Sequence, residues 1–373
     1  MLKIPNFSDL KVAVIGDIML DEYYDCTVDR ISPEAPVMVC KTDQSKRTIT
    51  LGGAGNVALN CKRLGSEVHL YGILGSDEYG NAIHRICNSE KILCLTKDGV
   101  IINTICKTRY RKGHNQIIRI DYENSDLPYE HDKYNNNYNL QNKLFEDFKS
   151  YINNYNLVIL SDYNKGTLNE QLCIDIIDLC IKHNIPVYID PKGYDWEKYS
   201  GATCLTPNLK EFHDLISDDP LDKYKELIKE IVYDAQETLD IYNLKSILIT
   251  KGKYGMSYID RERDFHYKKD TQEVFDVSGA GDTVISTFAM ARIKGYDYKD
   301  AVILADLAAK TVIRKSGTYA ISIEELTEEI NKYNLQYESK FITTDKKLTP
   351  EEIEKLRKEC YLRYINKKEG DLY

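Results

Sequence analysis

The chain has 373 residues, 29% of them charged, and a formal net charge of −9. That length suits one large α/β domain with additions or two modest ones, and an acidic chain without a long basic stretch disfavours nucleic-acid binding. Ten cysteines without a C-x-x-C pair or His/Cys ligand spacing suit a reducing compartment better than disulfides or zinc. No run approaches the roughly 18 apolar residues of a membrane span, and residues 1–6 carry no apolar leader, so a soluble cytoplasmic protein is expected.

Residues 11–17 are a short apolar run closed by Gly16 and Asp17, the pattern of a buried parallel strand with a carboxylate at its end. Ligands of open α/β sheets bind beyond strand carboxyl ends. Asp17 and Asp21 are therefore candidates for gripping hydroxyls, with turn capping as the alternative. Residues 22–50 and 101–122 are β-like, and the second piece holds Lys107, Arg109, Arg111, Lys112 and Arg119. Together they suit a lid that excludes water during phosphoryl transfer. Between them, Gly52, Gly53 and Gly55 lead into an apolar helix. Glycine permits close backbone approach to a ligand, and Asn56 offers both donor and acceptor. The spacing is not G-x-x-x-x-G-K-[ST], which excludes a P-loop.

Residues 67–75 read as a further strand with its turn. Residues 123–143 are polar, with Asn135, Asn136 and Asn137 in a row, and read as a solvated loop or insertion. Residues 157–166, 186–193 and 247–252 repeat the apolar strand with a polar glycine turn, and helical stretches at 170–183 and 222–238 alternate with them. That rhythm predicts an α/β fold, a mainly parallel sheet with helices on both faces. A helix opens near Asn208.

Residues 273–275 read as a strand and 284–291 as a buried helix, with Gly279 and Gly281 at the turn between them. Such a turn aims backbone N–H groups and the positive helix end at one spot, which suits an anion. The carboxylate of Asp282 in that turn makes sense if it takes a proton from a hydroxyl attacking a phosphate. An ordinary capping turn is the alternative. After Gly317 the chain reads as a closing strand and helix over 321–331, and from about 340 as a charged helical tail with a helix start at Pro350.

Gly52-Gly53-Ala54-Gly55-Asn56 and Asp276-Val277-Ser278-Gly279-Ala280-Gly281-Asp282 resemble the two signatures of the ribokinase-like carbohydrate kinase family. Asn208-Leu209-Lys210-Glu211 resembles its N-x-x-E motif. Residues 14–21, 30–37, 161–166, 189–193 and 205–209 are similar, more closely, to the heptose 7-phosphate kinases, which in many bacteria form the first half of a bifunctional heptose kinase/adenylyltransferase. The resemblance covers about residues 8–330. Gly55 stands where those kinases usually have Ala, and Asn164 where Gly is usual. No H-x-G-H nucleotidyl-transfer signature follows residue 340, so phosphorylation without adenylylation is expected.

The resemblance implies a three-layer sandwich with a mostly parallel central sheet, helices on both faces and a small β lid at about 19–50 and 100–122. A kinase domain would span 1–335, and a charged helical extension 336–373. The implied reaction is ATP-dependent phosphorylation of a small-molecule sugar phosphate, heptose 7-phosphate to heptose 1,7-bisphosphate, with no nucleic-acid or membrane partner. A homodimer through the lid is allowed.

It also implies roles. Asp282 would be the base or hydroxyl-orienting carboxylate, and the N–H groups of Gly279, Ala280 and Gly281 would hold the transferring phosphate. Asn208, Leu209, Lys210 and Glu211 would serve ATP, with Glu211 reaching Mg²⁺ through water. Thr250, Lys251, Gly252 and Gly255 would line the nucleotide. Asp17, Asp21, Gly53, Asn56 and Asp190 would hold the sugar. Arg109, Lys165 and Lys192 would meet its phosphate, with exposed charges or lid salt bridges as the alternative. Analogy places a monovalent cation near Asp276 and Gly317. A kinase for another sugar or a nucleoside is the competing enzyme reading. A catalytically dead sugar- or nucleotide-binding regulator is the other, and the Asp282 carboxylate, which binding alone would not need, speaks against it.

Overall fold

A computed structural model describes residues 1–99, 102–113, 115–123, 136–193, 196–216, 224–267 and 276–339. Its strands are β1 (Lys11–Gly16), β2 (Ile18–Ile31), β3 (Met38–Gly53), β4 (Glu67–Gly75), β5 (Leu93–Gly99), β6 (Ile105–Lys112), β7 (Asn115–Tyr122), β8 (Leu157–Ser161), β9 (Val187–Asp190), β10 (Cys204–Leu205), β11 (Ser246–Thr250), β12 (Met256–Asp260) and β13 (Asp264–Tyr267). Its helices are α1 (Ala54–Arg63), α2 (Glu78–Glu90), α3 (Asn136–Tyr151), α4 (Glu170–Lys182), α5 (Leu209–Ile216), α6 (Tyr224–Ile241), α7 (Ala280–Ile293), α8 (Tyr298–Val312) and α9 (Ile323–Ser339). Two units are distinguished, Lys3–Glu329 and a small one of Met1–Leu2 with Ile330–Tyr373. In the small unit Leu2 and Asn334 exchange two hydrogen bonds of 2.9 Å.

In the larger unit, nine strands form one sheet in the order β13-β12-β11-β10-β9-β8-β1-β4-β5. It is parallel from β11 to β5, and β12 and β13 add an antiparallel edge. The central strands are apolar throughout because both faces are covered. Alternate residues, Ala13, Ile15, Val158, Leu160 and Ile189, share a core with Leu144 and Phe148 of α3, Ile176 of α4 and Leu239 of α6. Side chains of opposite parity serve the other face, where Tyr188 meets Phe288 of α7 edge-on at 6.1 Å. Beyond the carboxyl ends of these strands stands a second sheet, β3-β2-β6-β7. It is built from the two segments expected as a lid.

Two expectations fail locally. The polar stretch 123–143 is already helical from Asn136, because Leu144 and Phe148 recur at helical spacing and are fully buried. The closing strand at 321 is not formed. Ser322 Oγ accepts from the Glu325 N–H and the Glu325 carboxylate from the Ser322 N–H, a capping box that starts α9 at once. The run 273–275 and the tail 340–373 lie outside the described residues. No described helix is long and apolar enough to cross a membrane.

Candidate active site

The carboxyl ends of β1 and β8 converge so closely that a Cβ on Gly16 would lie 2.0 Å from the Ser161 carbonyl oxygen. Into this convergence α7 directs its first turn, and with it Asp282, which is 3% exposed. Both carboxylate oxygens have neutral donors. Asn56 Nδ2 reaches Oδ2 at 2.7 Å, and the Tyr163 hydroxyl reaches Oδ1 at 2.9 Å. Burial lifts the Asp282 carboxyl to about 6, against the pull of those two donors, and the nearby charge of Asp21 adds to the rise.

The direction of the Asn56 amide is set by a relay. Asn60 Oδ1 accepts from Ile321 N–H and Thr283 Oγ1, so Asn60 must turn its Nδ2 to the Asn56 carbonyl and side-chain oxygens. Asn56 is left with its own Nδ2 for Asp282. Gly279 makes room for it. Its φ of 77° lies in the left-handed region, and a Cβ there would come within 2.6 Å of Asn56 Nδ2.

The helix start offers N–H groups, as expected, but not the three predicted. Ala280 N–H bonds to the Val277 carbonyl at 3.2 Å. The N–H groups of Gly279, Gly281 and Asp282 have no partner among the described residues. The space over Gly281 is open, since a Cβ there would meet nothing within 4 Å. This is a cradle of the kind a phosphate fits.

Across from it, the lid strand β2 presents Asp21. Arg109 of β6 donates to Asp21 Oδ1 and Thr318 Oγ1 to Oδ2, each at 2.6 Å. Arg109 also lies 5.3 Å from the centre of the Tyr23 ring. Lys107, two residues earlier on β6, has its ammonium 5.7 Å from the centre of the Tyr163 ring. Among the described residues no carboxylate lies within ion-pair distance of it. Burial pulls the Lys107 ammonium below its ordinary value, against the opposing pull of Asp21.

Other candidates are brought to the same rim but are already engaged. Asp17 accepts from three backbone N–H groups, those of Tyr163, Lys165 and Thr167, at 2.9 to 3.0 Å. Turn holding, the alternative reading, is what its contacts show. Asn164 in that turn has a φ of 56°, a conformation that glycine takes freely and Asn tolerates. Gly53 has a φ of 56° beside the Asp17 carbonyl. Lys165 pairs with Glu123 and Lys192 with Glu211 at 2.6 Å. Asp190, half-buried at the end of β9, is pushed well above the carboxylate range by burial, and by the charges of Asp282 and Glu211.

At the carboxyl end of β10, where the nucleotide is expected, Asn208 and Glu211 cap α5 reciprocally. Asn208 N–H donates to Glu211 Oε2 and Glu211 N–H to Asn208 Oδ1, each at 3.0 Å. Lys210 is exposed and Leu209 half-buried on the first turn of α5. Thr250 N–H bonds to the Pro207 carbonyl, which ties the end of β11 to this helix start. Gly252 and Gly255 take positive φ, and burial lowers the Lys251 ammonium to about 8. Asp276 bonds Ser278 and Gly317 N–H groups, and so joins the two segments where a monovalent cation is expected.

Sequence reasoning passed over four contributors. Tyr163 follows a strand-end Asp and Lys107 stands in the basic lid segment. Asn60 is four residues after Asn56, one helix face on. Thr318 carries no local signal.

The profile of the pfkB family carbohydrate kinase matches residues 9–326. The "Bifunctional protein HldE" of Hydrogenovibrio crunogenus is 38% identical over 339 residues, covering 87% of this chain and 64% of the relative. The chain therefore spans somewhat less than two thirds of that relative's length. Escherichia coli phosphofructokinase-2, solved in complex with potassium, superposes with a TM-score of 0.67 at 16% identity over 87% of this chain and 99% of its own. Arabidopsis thaliana ribokinase, complexed with ribose and ATP, gives 0.64 at 18% over 86% and 98%. These two establish the fold, ribokinase-like as expected. With a buried carboxylate at an open helix start, and a family match along nearly the whole described chain, this protein belongs to the pfkB family of carbohydrate kinases.

Proposed function

We propose that the chain phosphorylates heptose 7-phosphate to heptose 1,7-bisphosphate at the expense of ATP. Asp282 takes the proton of the attacking hydroxyl, and Asn56 and Tyr163 hold its two oxygens in place. ATP supplies the phosphoryl group. The N–H groups of Gly279, Gly281 and Asp282, unpartnered among the described residues, would carry the charge on the transferring phosphate, and Asn208 to Glu211 with Thr250 to Gly255 would flank the nucleotide. Asp190, whose carboxylate has no hydrogen-bond partner among the described residues, would face the sugar or its Mg²⁺, and Glu211 would reach Mg²⁺ through water. Asp276 and Gly317 would adjoin a monovalent cation.

Lys107 carries the sugar-phosphate part of the reading. It is a half-buried ammonium with no carboxylate at ion-pair distance among the described residues, and it lies over the tyrosine that donates to Asp282. A neutral sugar would leave it unpaired, whereas a phosphate monoester supplies charge-assisted bonds roughly twice as strong as neutral ones. Arg109, Lys165 and Lys192 are second choices because each already has a carboxylate. We expect kcat/KM for heptose 7-phosphate to exceed that for unphosphorylated heptose, ribose, fructose or adenosine by on the order of 100-fold, the factor for a few kcal/mol of lost pairing. Lys107→Ala should narrow the gap. Equal values for the phosphorylated and free sugar would move the reading to a general sugar kinase.

A homodimer through the lid belongs to the same reading, supported by the exposed Ile31, Val37, Met38 and Ile118. Light scattering should give twice the chain mass. A fully active monomer would remove it.

A further inference from the structure

In the lid, Cys26 of β2 and Cys40 of β3 bring their sulfurs to 3.3 Å. Cys26 is opposite Thr42 and Cys40 opposite Val28, so the two cysteines are diagonal neighbours on one face of the hairpin. The ladder shifts register between Tyr24 and Cys26 and again between Val28 and Arg30. Bulges of this kind bend and twist a strand, and here they flank the short stretch that carries the diagonal. Sulfurs already in contact need only a side-chain rotation to reach a bond of about 2.05 Å.

We propose that Cys26 and Cys40 form an intrachain disulfide when the protein meets hydrogen peroxide. Cys40 is half-buried and Cys26 lies deeper, so Cys40 meets the oxidant. Its thiolate attacks a peroxide oxygen, the O–O bond breaks, and the departing hydroxide takes up a proton as water. Cys40 is then a sulfenic acid. Cys26 loses its proton and attacks the Cys40 sulfur. The S–O bond breaks and a second water leaves. Two thiols are oxidised by two electrons, and peroxide is reduced by the same two. Burial and the neighbouring Cys40 hold the Cys26 thiol up at about 11, which suits the second, resolving role better than the first.

The bond would close the loop over residues 27–39, whose tip is pinned by the Ser32 N–H to Val37 carbonyl bond of 2.8 Å. It would also remove the thiol proton that Cys26 offers to the Arg111 carbonyl at 3.3 Å, loosening the outer end of β2 from β6. Buried cysteines such as Cys61, Cys173 and Cys204 serve as unreactive references. Cys94 is the competitor, because its thiol is drawn down to about 7, chiefly by the Cys87 thiol and then by His84.

The test uses the full-length reduced protein. It is exposed to hydrogen peroxide, its remaining thiols are alkylated, and it is digested without reductant. The expected result is a peptide pair joined through Cys26 and Cys40, with alkylation lost at both and regained after dithiothreitol. Trypsin cleavage at Arg30 should leave pieces that stay together on a non-reducing gel and separate on a reducing one. Cys26→Ser and Cys40→Ala should each abolish the joined pair. Full alkylation of Cys26 and Cys40 beside an oxidised Cys94 would overturn the proposal. So would a bond from either cysteine to a different partner, or a sulfinic acid at Cys40 without a cross-link. All of these are read on the wild-type chain, whether or not the variants fold.

Discussion

Asp282 and Asp21 are both buried carboxylates, one at the first turn of α7 and the other on the lid strand β2. They differ in their partners. Asp282 is met by an amide and a phenol, Asp21 by a guanidinium and a hydroxyl. A buried carboxylate held by neutral donors keeps an affinity for a proton, and the lift to about 6 expresses it. A carboxylate clasped by an arginine has its charge already answered, and its removal from the lid would strand the cation. Two residues of the same type thus divide by setting, one carboxylate held only by neutral donors and the other paired with a cation in the lid.

The contrast is tested most severely by Asp282→Asn. Turnover should fall by about 10²–10⁴-fold, the range for a positioned general base, while ATP affinity from calorimetric titration stays near wild type. Near-normal turnover would remove Asp282 from the role of base. On the lid side, Arg109→Met leaves Asp21 buried and without its cation. Breaking such a pair costs about 3–5 kcal/mol, which urea unfolding should show, and adding Asp21→Asn should recover much of it. Stability within about 1 kcal/mol of wild type would mean the pair contributes little.

Tyr163→Phe sharpens the Asp282 half. The phenol favours the ionised carboxylate, so its loss should move the acid limb of kcat, expected near pH 6 in the wild type, upward by about one unit. Activity then falls more at pH 6.5 than at pH 8. An unmoved limb would detach Tyr163 from the base. The smallest effect is expected for Glu211→Gln. A Gln serves the capping box as well as Glu, and the Lys192 partner is largely exposed, so stability should change by less than about 1 kcal/mol. A raised Mg²⁺ requirement in activity titrations would assign the carboxylate to the metal. An unchanged curve would leave it a cap.

The frame of the molecule was legible where one residue type had one reason to be there. Strands β1, β4, β8 and β11 announce themselves as apolar runs because both faces of a parallel sheet are covered. The glycine turns before α1 and α7 show because few other residues fit them. Asn136–Tyr151 was hidden because its asparagine-rich start masks the Leu144 and Phe148 spacing behind it. The site was legible only by halves. Asp282 and Asn56 stand out in their motifs, yet nothing local says that Lys165 will find Glu123, or that Lys107 will find no carboxylate among the described residues. Ion pairing is decided by distant residues brought together at the rim, and one chain read in order does not display it.

The grip of Asp17 on the turn after β8 has a consequence for how this site can change. Its three bonds go to backbone N–H groups, at residues 163, 165 and 167, and every amino acid but proline supplies one. The shape of the turn is therefore independent of most of the side chains it displays. Lys165 can be exchanged for another side chain while the loop keeps its course, and Tyr163 keeps its place beside Asp282. The molecule holds a fixed mounting with a replaceable fitting at the rim of the cleft that holds Asp282.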